Sequence, residues 1–154
     1  MPLLLALVLA VTTPPAAKDQ IGWMRPDAFH LVIGMSRTQV LQSLDSWAPK
    51  QGKDRNELVV DYSGERAMTL EFHQERLRSI RFELFVFLPE ISKVFEQKKA
   101  YLLKTFGEPR LATRSVLIYD GQLPNVMVVV SDDPTSDQGK KGIGVLAVRY
   151  YDPR

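Results

Sequence analysis

The chain has 154 residues, no cysteine, 45% hydrophobic and 25% charged residues, and a formal net charge of +2. That length holds one globular domain, or two small similar halves with a shared core, and excludes a large multidomain enzyme; the apolar content excludes a disordered chain. Zero cysteine rules out disulfides, thiolate zinc sites and cysteine nucleophiles, and 20 Lys and Arg against 18 Asp and Glu give no field suited to nucleic acid.

Leu3 to Val11 is an unbroken apolar run. It is shorter than the about 20 residues that span a hydrocarbon core. With the small residues Ala16 and Ala17 behind it, it reads as the h-region of a secretory signal peptide, although no Lys or Arg precedes it. Residues 1–17 are therefore expected to be a signal peptide, the mature chain to lack a transmembrane segment, and the product to be periplasmic or secreted. Residues 18–29 read as an irregular lead-in, overlapping a short strand expected over 28–33 (AFHLVI).

After Gly34-Met35, the run Ser36-Arg37-Thr38-Gln39 is a capping box. It predicts a helix to about Ser46 with Val40, Leu41 and Leu44 buried, ended by Trp47-Ala48-Pro49. Residues 51–56 are a polar loop. Strands are expected over 57–62, 67–73 and 77–88, the last two alternating apolar and polar residues. Phe72 and Leu77 flank a polar turn and both want the core, yet Leu77 and Ile80 have opposite parity. A β-bulge at Arg78-Ser79 resolves the conflict.

Pro89 suits the first turn of a second helix. Its apolar stripe is Ile91, Val94, Phe95, Leu102 and Phe106, its lysines 93, 98, 99 and 104 mostly face water, and Gly107 stops it with Pro109 behind. Strands follow over 115–120, 125–132 and 145–152, separated by the turn Asp120-Gly121-Gln122 and the polar loop from Asp132 to Gly144.

Each half thus reads as one helix and three strands. Pro49 and Pro109 lie 60 residues apart, Tyr62 and Tyr119 lie 57 apart, and Leu70 and Phe72 precede Val128 and Val130 by 58. Residues 30–88 and 89–154 are expected to be tandem repeats sharing one core. The fold class is then α+β: one antiparallel sheet with helices packed on one face and the other face wet. Asp61, Thr69, Glu71, Arg81, Glu83, Arg149 and Tyr151 are its outward residues. Phe85 and Phe87 add an apolar stretch to the outward parity. They are expected to be buried between the repeats or against the N-terminal segment, and to be partner anchors if exposed.

No catalytic motif is present. His30 and His73 lack a second ligand at useful spacing, so no metal or other cofactor is expected. Asp133, Thr135 and Asp137 have the alternate spacing of a calcium loop, but its glycine comes one place late, at Gly139. Arg76, Arg78 and Arg81 are offset by Glu71, Glu75 and Glu83.

The stretch I-G-M-S-R-T-Q-V-L-Q-S-L (33–44), with V-V-D-Y (59–62) and L-E-F-H-Q-E-R-L-R-S-I (70–80), resembles the SmpA/OmlA domain, the family of the outer-membrane assembly protein BamE. A tandem arrangement of this kind is similar to the β-lactamase inhibitor protein, which depends on disulfides this chain cannot form. The resemblance implies a small periplasmic α+β scaffold without catalysis. It departs from the family at Trp47-Ala48-Pro49 and at Glu75, where glycines are usual, and in lacking the lipid-bearing cysteine.

Two readings of function follow. The first is a non-catalytic protein, not an enzyme, that binds another envelope or secreted protein and no nucleic acid, with Phe85, Phe87, Arg81, Arg149 and Tyr151 as contact candidates. The second is a small-ligand carrier or enzyme with a distributed site drawn from Tyr62, His73, Arg81, Tyr119 and Arg149.

Overall fold

The alternating segments form strands and the segments with helical periodicity form helices in a computed structural model that describes residues 24–63, 66–120 and 124–154. The expected signal peptide, most of the lead-in, the side chain of Tyr62 and the turn after Asp120 lie outside the described residues. In chain order the elements are α1 (Arg37–Ser43), β1 (Lys50–Gln51), β2 (Glu57–Ser63), β3 (Arg66–His73), β4 (Arg76–Phe87), α2 (Ile91–Phe106), β5 (Leu111–Ala112), β6 (Val116–Tyr119), β7 (Asn125–Ser131) and β8 (Ile143–Tyr151). The fold is α+β. Its eight antiparallel strands make one sheet in the order β1-β2-β3-β4-β8-β7-β6-β5. No described helix is long and apolar enough to cross a membrane.

Directly opposed residues in neighbouring strands share a face. One face carries two continuous rows. Leu58, Leu70, Ile80, Tyr150, Val126 and Tyr119 form the first; Val60, Met68, Phe82, Val148, Val128 and Leu117 form the second. Every member is buried, and Val40 and Leu44 of α1 join the same hydrophobic cluster with Ile91, Phe95 and Leu102 of α2. Phe29, Phe82 and Tyr150 form an aromatic chain through it, with ring centroids 5.8 and 6.0 Å apart.

The capping box closes in full: the Gln39 amide donates to Ser36 Oγ at 3.3 Å and the Ser36 amide donates to Gln39 Oε1 at 2.9 Å. The bulge is also present. Phe72 pairs with Leu77 while Glu71 pairs with Ser79, leaving Arg78 as the extra residue. Pro89 lies in a 3-10 turn that leads into α2, and Gly107 ends that helix with φ 78°.

Four expectations are corrected. Residues 28–33 are not a strand: Pro26–Phe29 is a 3-10 turn and His30 is left-handed, so the chain turns to bury Phe29 and Leu31. The first helix is shorter than its pattern, ending at Ser43 and continuing only as a 3-10 turn over Asp45–Trp47, and Leu41, expected to be buried with Val40 and Leu44, is 40% exposed. Lys98 does not face water. It sits at 0% exposure on the stripe between Phe95 and Leu102, where spacing alone places it. Two edge strands, β1 and β5, are two residues each and carry no alternation to reveal them.

Gly144 shows why the last strand begins as it does. A Cβ there would approach the Ile91 side chain to 3.2 Å, so the missing side chain makes room for the start of α2. Gly139 is stricter still: its Cβ would lie 1.9 Å from the Asp133 carbonyl.

Candidate functional site

The face opposite the buried rows is set by the same register. Along β4 it presents Ser79, Arg81, Glu83, Phe85 and Phe87, opposed on β8 by Tyr151, Arg149, Ala147, Val145 and Ile143. All five contact candidates therefore share one face of the two central strands. Ser79 and Phe87 lie eight positions apart, a span of about 26 Å at roughly 3.3 Å per residue.

One end of this band is polar. Arg81 and Arg149 are directly opposed, an arrangement that would repel without counter-charges. Each has one. Arg149 donates to Glu71 Oε2 at 2.9 Å and to Ser79 Oγ at 2.7 Å, and its guanidinium lies 5.3 Å from the Tyr151 ring centre. Arg81 Nε lies 3.4 Å from Glu83 Oε1. The side chains of Arg81 and Arg149 remain 44% and 39% exposed. The residues expected to point outward do so, except that Thr69, between Val59 and Arg81 in its row, is buried.

The other end is apolar. Phe85 opposes Val145 and Phe87 opposes Ile143. Burial of both rings, expected from sequence, is not found: Phe87 is 71% exposed and Phe85 is half-buried. Their parity sends them to the face away from the core rows, so neither reaches the shared cluster. Toward β6 the face continues through Ala147, Val129 and Val116 in one row and Met127 and Ile118 in the next.

The four described residues of a distributed site do not converge. His73 is exposed at the β3–β4 hairpin, Arg81 and Arg149 lie on the outer face, and Tyr119 is buried in the opposite one. The Asp133 loop uses its carboxylate internally. Asp133 Oδ1 accepts from the Thr135 amide at 2.8 Å and its hydroxyl at 2.7 Å, and these bonds hold the carboxyl below its ordinary range. Among the described residues no three His, Cys, Asp or Glu side chains gather as a metal site.

Sequence reasoning missed one polar node. The Met24 carbonyl accepts from Tyr150 Oη at 2.9 Å and from Lys98 Nζ at 3.4 Å, which ties the N-terminal segment to β8 and α2. Burial, with Arg25 nearby, lowers Lys98 to about 7. No protein-family model, curated protein or solved structure matches the chain.

Proposed function

We propose that this chain is a non-catalytic protein-binding domain of the bacterial cell envelope that engages another envelope or secreted protein through the outer face of its sheet. The observation that carries this reading is the partly exposed band on β4 and β8, where an apolar end centred on Phe87 adjoins a charge-balanced end of Arg81, Arg149, Glu71 and Glu83. Aromatic and arginine side chains are the usual anchors of protein contacts, and surface aromatic patches mark contact sites. The arginines are already held by carboxylates, so a partner meets an ordered polar rim.

The same proposal takes residues 30–88 and 89–154 as tandem repeats of one SmpA/OmlA-like unit, with the helices on the core face. In favour stand the repeated order of a helix, a two-residue strand and three longer strands, and the pairing of the two last strands at the sheet centre. Export by residues 1–17 rests on the apolar run at Leu3–Val11.

The test is site-specific photo-crosslinking in the native host, with a photoreactive residue at position 87, 145 or 103. Leu103 is an exposed position on α2 and serves as the control. One discrete adduct is expected at 87 and 145 and absent at 103. The Phe85→Ala, Phe87→Ala pair should weaken capture by about 2 kcal/mol or more, with loss of folding stability below that figure because Phe87 is already exposed. Equal adducts at 103, or none at 87, would overturn the reading.

A further inference from the structure

We infer that the end of the sheet where β4 begins and β8 stops is a binding site for a small amphiphilic anion, a carboxylate or phosphate monoester carrying a short apolar body. The bulge builds the site. In a regular strand successive residues bond to opposite edges, whereas here Leu77 and Arg78 bond neighbours on one edge. Leu77 accepts from the Gly34 amide and donates to the Met35 carbonyl, each at 2.8 Å, and the Arg78 carbonyl accepts from the Asp152 amide at 3.0 Å. The segment around Gly34 and the tail of β8 therefore meet end to end, and a cavity of about 430 Å³ lies between them. That volume is in the range of small-ligand sites.

Three guanidinium groups line this cavity, those of Arg76, Arg78 and Arg154, against one side-chain carboxylate, Asp152. Arg78 and Arg154 share that carboxylate at 2.9 and 3.0 Å, and Arg78 also donates to the main-chain oxygen of Arg154 at 2.6 Å. Hydrogen bonds from Arg154, with the charge of Arg78, hold Asp152 at about 2, so it stays ionised and already committed. Arg76 has one long contact, 3.4 Å to the Gly34 carbonyl, and no carboxylate within ion-pair distance among the described residues. Its fork of donors is the group left to receive an oxyanion. The rest of the lining includes the apolar side chains of Val32, Ile33 and Pro124, with Val32 66% exposed. A ligand with an anionic head and an apolar body satisfies both kinds of lining; inorganic anions satisfy one.

The experiment is an amide-resolved NMR titration of the full chain with phenyl phosphate, hexanoate and inorganic phosphate, each at ionic strength matched with sodium chloride. Phenyl phosphate or hexanoate should move the amides of 32–34, 76–78, 152 and 154 together, with a Kd of roughly 0.1–1 mM. Inorganic phosphate should bind at least about threefold more weakly, lacking the apolar contact. Arg76→Gln should weaken the organic anions about tenfold, as expected for loss of a charge-assisted pair, and Arg154→Gln, at an exposed position, should do so without touching the hairpin. Equal shifts from sodium chloride, shifts scattered over other arginines such as Arg114, or unchanged affinity in both variants would overturn the site. Equal affinity for inorganic phosphate would overturn the amphiphilic class of ligand.

Discussion

Two tyrosines separate the effects of a buried hydroxyl with and without a partner. Tyr150 and Tyr119 belong to the same buried row, and Val126 stands between them. The Tyr150 hydroxyl donates to the Met24 carbonyl, whereas Tyr119 Oη is buried without a hydrogen-bond partner among the described residues. Burial raises both phenols, assisted at Tyr119 by Glu108. An orphaned hydroxyl costs desolvation that nothing returns, so Tyr119→Phe should stabilise the fold by about 1 kcal/mol and Tyr150→Phe should destabilise it by about 1–2 kcal/mol. Urea unfolding of the two variants reads the opposite signs; a loss of stability in Tyr119→Phe would refute the assignment. Lys98 carries a different lesson at this scale. Its position between Phe95 and Leu102 on the helix stripe was available from spacing, but residue type argued for water, and the stripe prevailed because Nζ reaches the Met24 carbonyl and the Tyr101 ring, 4.8 Å away.

At the scale of elements, the β3–β4 hairpin is the place where the sequence fits its structure least well. Gln74 and Glu75 form its two-residue turn with φ of 49° and 60°. That is the geometry of a type I′ turn, which favours Asn-Gly because ordinary side chains crowd the backbone there. Replacing the pair by Asn-Gly should raise stability by about 1 kcal/mol with no change in the denaturant slope; a neutral or negative result would show that the turn's own side chains compensate. The bulge two residues later was legible in sequence because it follows from a conflict of parity between Leu77 and Ile80, and only an extra residue sends both inward. The strand expected at 28–33 was not legible as a turn. Its composition is that of a strand, and a local pattern contains no term for Phe29 seeking Trp47 and Phe82, at 5.4 and 5.8 Å between ring centres.

For the whole molecule the decisive contact is the pairing of β4 with β8 over nine residue pairs, from Ser79 with Tyr151 to Phe87 with Ile143. These strands are the last of each half, and their pairing leaves the two-residue strands β1 and β5 at the sheet edges, where little backbone is open to further pairing. It also completes the buried rows, since Ile80, Phe82 and Leu84 face Tyr150, Val148 and Leu146. Residues 24–88 alone would expose that edge and half of each row, in a chain near the lower size limit for a stable core. This fragment should not populate a folded monomer. Sedimentation with circular dichroism is expected to report an unfolded chain or a dimer formed along β4, and a cooperative, monomeric fold would contradict the shared core.

Local sequence pattern located the six longer strands, the start of both α-helices, the capping box, the bulge and the parity that sends Arg81, Phe85, Phe87, Arg149 and Tyr151 outward, because these are properties of residues a few positions apart. Which strands become neighbours is decided by contacts between residues about seventy positions apart, such as Arg81 with Arg149. Only the tertiary structure therefore placed the candidate residues on adjoining strands, left Phe87 exposed, separated Tyr119 from the arginines, and drew Arg76, Arg78 and Arg154 around one cavity. The physical reason is that side-chain alternation fixes a face but not a partner: the partner is chosen by how much apolar surface the pairing buries, and that sum runs over the whole chain.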